Sequence, residues 1–540
     1  MPRSSQHHRQ SVSSKFYIGV SPINTQNVYN IINTSTQIDI DSGTALRLSS
    51  SRALLERLIK ENRTIYGVNT GLGGLVNWLV PEENASELQN NLISAVATNV
   101  GDYLDDRFVL ASMLARINSL ARGVSAISLQ NFNILLKMFN KGVVPCIPSK
   151  GSLGASGDLG PLACVALVGT GKWKARYKGS VMPGREALRL AGISPMILGY
   201  KEGLSLVNGT STMTGMAAML IEDAIKLIKY YDIVSALSIE GLGAIKKPFN
   251  PIVHREKLHP GQQTSAENIW NLLKDSKLVT DEDNLNQQLI DKKKKAPIYV
   301  KTPIEDAYSI RCTPQILGPI RDNLKSIRIT IDNELNSSSD NPLVIPSHGD
   351  VFHNGHFHGQ YIAMAMDQLC ISLSTLANLS DRRIDRFMDS THSNGLPPFL
   401  CSSHQGIRLG LMGGQFMAAS LASEIRSLCS PVSIQSLTTT GDFQDIISMG
   451  FVAARRAHEI LTNVRYIVAF ELLCAAQSVD FRGADRLSSS TRIAYESVRK
   501  LVKFLDIDEP LTDHIESLSK LLESDTLLLE VEQKAGRIDL

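Results

Sequence analysis

The run GSLGASGDLGPLA, residues 151–163, places Gly151, Gly154, Gly157 and Gly160 at every third position around one small serine, Ser156. Ordering a glycine costs more backbone entropy than ordering alanine, so such a run marks a place where the backbone itself must bend or be approached closely. It lacks the Lys-Ser/Thr ending of a phosphate loop and the G-x-G-x-x-G spacing of a dinucleotide fold. It is also too short and too poor in proline for a collagen-like helix. An ordinary turn before a helix opening near Pro161 stays open on spacing alone. Asp158 follows directly and reads either as a proton acceptor or as the N-cap of that helix. A second cluster, His353, His356 and His358, has H-x-x-H-x-H spacing. No cysteine or regularly spaced carboxylate completes a ligand set, so no metal is expected there.

The elements that must hold these residues are mostly helical. Leu110, Leu114, Ile117 and Ala121 recur at helical spacing after the acidic Asp105–Asp106 and before Arg122–Gly123, which predicts a helix with favourable charges at both ends. Leu324, Ile327, Ile331 and Leu335 repeat the pattern, and similar stretches cover 213–238, 360–390, 415–430 and 446–482. Strand-like alternation is confined to short pieces such as KARYKGSVM. The fold class is therefore mainly α, long helices bundled together with glycine-rich loops between them. The loops at 66–74, 202–211, 304–315, 333–342 and 354–361 carry the unusual polar residues, which points to a site assembled from distant segments.

With 540 residues, 43% hydrophobic and 20% charged, the chain is long enough for two or three structural subregions. A formal net charge of +2 argues against a nucleic-acid partner. The basic run DKKKKAP at 291–297 reads as a solvated loop. Residues 1–15 read as a flexible polar tail without a secretory signal, and no apolar run reaches the ~20 residues a membrane span needs. Seven scattered cysteines without a C-x-x-C pair suit a reducing cytoplasm.

Together these segments resemble the aromatic amino acid ammonia-lyase and aminomutase family, over roughly residues 25 to 490 and through several separate motifs. The resemblance implies an aspartase/fumarase-like helical bundle, a homotetramer with active sites shared among subunits. It further implies a prosthetic-group domain at 16–220, a central bundle at 221–490 and a C-terminal helical segment at 491–540. In this family Ala155–Ser156–Gly157 cyclises and dehydrates to 4-methylidene-imidazol-5-one, an electrophile made autocatalytically from the chain, with no external cofactor. The chemistry explains the residue types: the Gly157 nitrogen must reach the Ala155 carbonyl with no Cβ in the way, and Ser156 supplies the hydroxyl lost to form the methylene. Capturing the substrate amine covalently then links its departure to removal of a weakly acidic β-proton.

Other roles carry over by motif. Tyr66, opening YGVNTG, matches the tyrosine that removes the β-proton, and needs nearby donors or positive charge to act as a phenolate. Arg311 matches the arginine that clamps the substrate carboxylate with its guanidinium fork, helped by Asn341 in SDNP. Asn208 matches the asparagine that bonds the prosthetic group, and Tyr308 the second tyrosine near the substrate. Gln444 and Phe357 also fall on active-site positions.

Ring selectivity in the family depends on two residues after LQxNLI, here Ala95 and Val96. Neither can hydrogen-bond a phenol or an imidazole. With Leu92, Leu204, Phe416 and Phe443 they imply an apolar aryl pocket and phenylalanine as the small-molecule substrate. Thr440 and Phe443 in TTTGDFQD, and Glu305 in EDAY, depart from the pattern of degradative lyases. These departures resemble bacterial phenylalanine aminomutases of antibiotic pathways, although Ala155 stands where that enzyme has threonine. The implied reaction is the 2,3-aminomutase conversion of L-α-phenylalanine to β-phenylalanine through an amine adduct of the prosthetic group and trans-cinnamate. A phenylalanine or tyrosine ammonia-lyase, releasing cinnamate or coumarate and ammonia, and an inactive helical scaffold remain the alternatives.

Overall fold

A computed structural model of the chain describes residues 15–290, 297, 299–300 and 303–540. The proposed tail, apart from Lys15, and the basic run at 291–296 lie outside the described residues. The chain forms two compact units. Of the described residues, the first holds those within 15–219, 328–366 and 431–455, and the second those within 220–327, 367–430 and 456–540. The long helices Ser211–Leu242, Thr313–Leu335, Gln360–Met388 and Gly450–Arg482 each contribute residues to both. Gln360–Met388 is long and apolar enough to span a bilayer by composition, yet most of its apolar window is buried in the fold.

In the first unit, the expected helix at 110–121 runs from Asp106 to Ala121. It is buried on nearly every side, so its polar Arg116 and Asn118 are enclosed along with Leu114 and Ile117. Asp41 caps the helix Ser42–Lys60 by accepting from the Thr44 N–H at 2.8 Å, and Ser128 caps Leu129–Asn140 in the same way through Asn131. Strands are few. Phe16–Ile18 pairs with Ile38–Ile40 in parallel, and KARYKGSVM folds as an antiparallel hairpin joined by Val144–Pro145. A ribbon of Leu343–Ile345 against Asp350–Phe352 places Val344 opposite Val351. Those two valines pack with Leu54, Leu55, Leu58 and Ile59 around Ile65 and Val68. Each such buried side chain is worth roughly 1.5–3 kcal/mol, which anchors both flanks of Tyr66.

The second unit is the more helical. Its interior encloses charge: Arg383 pairs with Glu471 at 3.0 Å with both side chains almost fully buried, and Arg321 pairs with Asp232. Arg383 also donates to the Ser309 carbonyl at 2.8 Å and the Thr313 hydroxyl at 2.7 Å, which fixes the short helix Tyr308–Arg311.

Candidate active site

The glycine-rich segment is held against a second turn of backbone. Gly157 has φ of +73° and Gly209 has φ of +145°. A Cβ on Gly157 would lie 2.1 Å from the Gly209 carbonyl oxygen, so neither the dihedral nor the space admits another residue. The Asp158 N–H donates to the Gly209 carbonyl at 2.8 Å, and the Gly209 N–H donates to the Ser156 carbonyl at 3.2 Å. From a third segment, the Met449 N–H donates to the Leu153 carbonyl at 2.9 Å. Gln444 donates from Nε2 to the Ser156 hydroxyl at 3.1 Å, while its Oε1 accepts from the Thr439 hydroxyl at 3.0 Å.

Asp158 stands at the start of the helix Leu159–Gly169 but makes no side-chain cap bond there, which corrects the capping expectation. Its Oδ2 instead accepts from the Met213 N–H at 2.8 Å, capping the helix Ser211–Leu242 from outside. Its Oδ1 is buried with no donor. Burial pushes this carboxyl up to about 7, against the pull of the Met213 and Thr212 N–H groups.

Tyr66 is tied at both ends. Its N–H donates to Nε2 of His353 at 3.1 Å, which requires the neutral ring with its proton on Nδ1. Its hydroxyl accepts from the Gly73 N–H at 3.1 Å. Burial raises the phenol above its ordinary value, and the Gly73 donor opposes this only in part. The lowering that a phenolate base requires is therefore absent in this arrangement. The same loop is fixed by Gln89, fully buried, whose carboxamide accepts from the Leu204 N–H at 2.9 Å and donates to the Gly67 carbonyl at 2.9 Å.

Asn208 donates to the Asn341 carbonyl at 2.9 Å and to Asp340 at 3.3 Å. Asn341 in turn accepts at Oδ1 from the Asn354 N–H at 2.7 Å. Beneath them Lys201 pairs with Asp340 at 2.5 Å, both fully enclosed. Burial pulls the Lys201 ammonium below its ordinary range, with Asp340 pulling it back. Arg116, equally buried, is lowered to about 10 by the same loss of water. Gln89, Asp340, Lys201 and Arg116 were not singled out by the sequence. A charged residue destined for burial looks in sequence like one destined for solvent; Gln89 lies inside LQNNLI and Asp340 inside SDNP, but Lys201 and Arg116 lie in neither motif.

These segments enclose a cavity of about 1060 Å³. Tyr66, Ala155, Ser156, Asn208, Asn341 and Gln444 border it on the polar side. Leu72, Leu92, Val96, Leu204, Phe357 and Phe443 supply apolar wall. Four of the expected residues are not in this lining. Ala95 does not border this cavity; it is exposed and lines a separate cleft of about 270 Å³ that also reaches Ser156, because the helix Ala85–Ala95 ends there and turns Val96 inward instead. Phe416 belongs to the second unit and is 65% exposed on the helix Met412–Leu428. Tyr308 and Arg311 also belong to the second unit, and neither borders the cavity. Arg311 donates from Nε to the Asp306 carbonyl at 2.9 Å, pairs with Glu305 at 2.9 Å and lies over the Tyr308 ring. Among the described residues, no lysine or arginine lines the cavity.

The arrangement offers a pinned small-residue triplet, a phenol and several carboxamides around an apolar chamber. Residues 23–500 match the family described as aromatic amino acid lyase. The chain is similar in structure to the phenylalanine aminomutase of Pantoea agglomerans, with 53% identity and a TM-score of 0.92 over 95% of this chain and all of that one. It is 41% identical over 497 residues to the tyrosine ammonia-lyase of Cupriavidus metallidurans, covering 91% of this chain and 92% of that enzyme. It is 39% identical over 508 residues to the histidine ammonia-lyase of Natranaerobius thermophilus, covering 94% and 97%. The chain thus belongs to the aromatic amino acid lyase family and is an enzyme of the ammonia-lyase and aminomutase type.

Proposed function

We propose that the enzyme is a phenylalanine 2,3-aminomutase that interconverts L-α-phenylalanine and β-phenylalanine and releases some trans-cinnamate and ammonia. The observation that carries the reading is the meeting of Tyr66 and Ser156 in one chamber whose wall includes Leu72, Leu92, Val96 and Leu204. An aryl ring without a polar substituent leaves no group unpaired against those side chains, whereas a buried phenol does unless a donor or acceptor meets it.

Ala155–Ser156–Gly157 fits the methylidene-imidazolone that the family implies. Any side chain at 157 is excluded by Gly209, and Asp158 Oδ1 is a buried acceptor without a donor beside the peptide. Such a group, formed here, supplies an electrophile for the substrate amine. The chain's own residues do the rest. Gln444 and Asn208 hold the triplet's surroundings, Tyr66 takes the β-proton, and Asn341 receives the carboxylate. The raised Tyr66 phenol ionises only with a positive charge beside it, such as the bound substrate's ammonium or a second cation. The carboxylate also needs a cation that the cavity lining lacks, which supports a shared site in a homotetramer with Arg311 and Tyr308 of another copy completing it. Tyr308, 70% exposed, suits that role.

The ammonia-lyase reading has support in the two ammonia-lyase relatives. Incubation with L-phenylalanine, L-tyrosine and L-histidine in parallel, followed by chiral separation of β-amino acids from free acrylates, distinguishes the readings. β-Phenylalanine as the main product is the expected result. Better turnover of tyrosine or histidine overturns the substrate assignment. Near-ultraviolet absorbance lost in Ser156→Ala reports on the prosthetic group.

A further inference from the structure

A fully buried carboxylate, Asp340, lies behind two of the carboxamides that border the cavity. Asn341 is held at three atoms. Its N–H donates to Asp340 Oδ1 at 2.7 Å, its carbonyl accepts from Asn208 Nδ2 at 2.9 Å, and its Oδ1 accepts from the Asn354 N–H at 2.7 Å. Asn208 reaches the same Asp340 oxygen at 3.3 Å. A carboxylate and a carbonyl can only accept, so Asn208 must turn its NH₂ toward them. A backbone N–H can only donate, so Asn341 must turn its oxygen toward Asn354, and its NH₂ is the part left to meet a carboxylate. The other Asp340 oxygen accepts from Lys201 Nζ at 2.5 Å, and Lys201 also donates to the Ser125 carbonyl and the Ser205 hydroxyl, each at 3.2 Å. Lys201 and Asn208 flank the short helix Glu202–Val207, whose Leu204 lines the cavity, so one carboxylate fastens both ends of that helix. Lys201 has φ of +63°, a left-handed backbone that a lysine seldom adopts unless its surroundings hold it there.

Such a pair is a poor device for stability alone. Taking two charges out of water costs about what their attraction returns, and an apolar pair of similar volume is often at least as stable. What an apolar pair lacks is an acceptor for the Asn341 N–H and the Asn208 NH₂. We infer that Asp340 is a positioning residue for the reaction, steered by Lys201, which sets Asn208 and Asn341 so that the Asn341 NH₂ meets the substrate carboxylate. The inference rests on the reading above that gives Asn341 that carboxylate. Lys201 acts at one further remove, since its three donors lock Asp340 to Ser125 and Ser205 and turn the second carboxylate oxygen toward the carboxamides. Breaking the ion pair and removing the acceptor are then separate events. The first lowers stability, and the second weakens the grip on a carboxylate.

Two double variants without the ion pair separate these events. Lys201→Met with Asp340→Leu removes both the pair and the acceptor. Lys201→Met with Asp340→Asn removes the pair but keeps an amide oxygen for Asn341 and Asn208. The readout is the inhibition constant of trans-cinnamate, coumarate or urocanate, whichever binds the unmodified enzyme most tightly, beside that of the corresponding amide, which keeps the ring and lacks the charge. The acid's constant should rise about tenfold in the leucine variant and stay within about threefold in the asparagine variant. The amide's should change less than about twofold in both, and KM for the amino acid should follow the acid. None of these constants scales with the amount of folded enzyme, so a merely structural role for Asp340 leaves them unmoved. Asp340→Ala with Lys201→Met, a smaller side chain, takes the leucine variant's place if leucine prevents folding. An acid constant unchanged without the acceptor, equal rises in the leucine and asparagine variants, or acid and amide rising together overturns the inference. So does failure of both acceptor-free variants to fold while the asparagine variant folds, which makes the acceptor a requirement of the fold. Failure of all three acids to bind the unmodified enzyme overturns the underlying reading instead.

Discussion

Asp158→Asn tests whether burial governs this carboxyl. The experiment belongs in the Ser156→Ala background, where the 155–157 peptide stays intact. Between the ordinary 3.8 and about 7 lies roughly a thousandfold difference in proton affinity, about 4 kcal/mol. A carboxyl whose folded pKa is raised binds its proton more tightly in the folded chain. Its cost is absent below about pH 4, grows as pH rises, and is complete above about pH 7. Asparagine never ionises and keeps an acceptor for the Met213 N–H, but it sets an NH₂ where Oδ1 now has no partner, at about 1–3 kcal/mol. The variant should therefore be the more stable chain by about 2 kcal/mol near pH 8 and the less stable one near pH 4.5. Urea midpoints by far-ultraviolet circular dichroism, at fixed chain concentration across that range, provide the comparison. Parallel midpoint curves, with no crossing, refute the reasoning.

Further outcomes follow from the same geometry. Gly157→Ala drives a methyl group into the Gly209 carbonyl; near-ultraviolet absorbance should disappear, with stability lower by about 2–4 kcal/mol in a denaturation titration. Tyr66→Phe should lower kcat by about 10²–10⁴-fold while KM stays within a few-fold, read by steady-state kinetics. Lys201→Met strands Asp340 without its buried partner and should cost about 3–5 kcal/mol, visible as a lowered thermal midpoint. Glu305→Gln releases Arg311 from an exposed pair worth no more than about 1 kcal/mol, so KM for the amino acid should fall about two- to fivefold at low salt. The difference should fade at high ionic strength.

Much of the fold was legible because helical spacing is a local property. Leu114 and Ile117, or Ile331 and Leu335, recur at the interval that turns them to one side, and all four are buried. The strand character of KARYKGSVM was legible for the same reason, its alternation being contained within nine residues; that it folds back as a hairpin is a finding of the structure. The candidate site was legible only through its motifs. Nothing local says that residue 209 will press on residue 157, or that the Asp158 side chain will cap a helix more than fifty residues away. Ala95 shows the limit in the other direction. A helix that ends one residue earlier or later exchanges which of two neighbours faces inward, and sequence fixes such ends poorly. Arg311 and Phe416 show a second limit, since motif order carries no information about which compact unit a residue belongs to.

The ribbon of Leu343–Ile345 and Asp350–Phe352 works as a ruler. Its register brings Asn341 and Asn354 together just past the Leu343–Phe352 pair, and it carries His353 to the Tyr66 backbone. At its other end Asp350 meets Arg63 at 3.0 Å, so the stretch 63–66 is fastened twice along one strand. Sliding that strand by a single residue would invert which side chains face each way. The imidazole would leave the tyrosine and the carboxamide would lose its neighbour in one step. Six residues of plain β-structure thus set the spacing between Tyr66 and Asn341, the proposed base and the proposed carboxylate-binding group, which lie 275 positions apart in the chain.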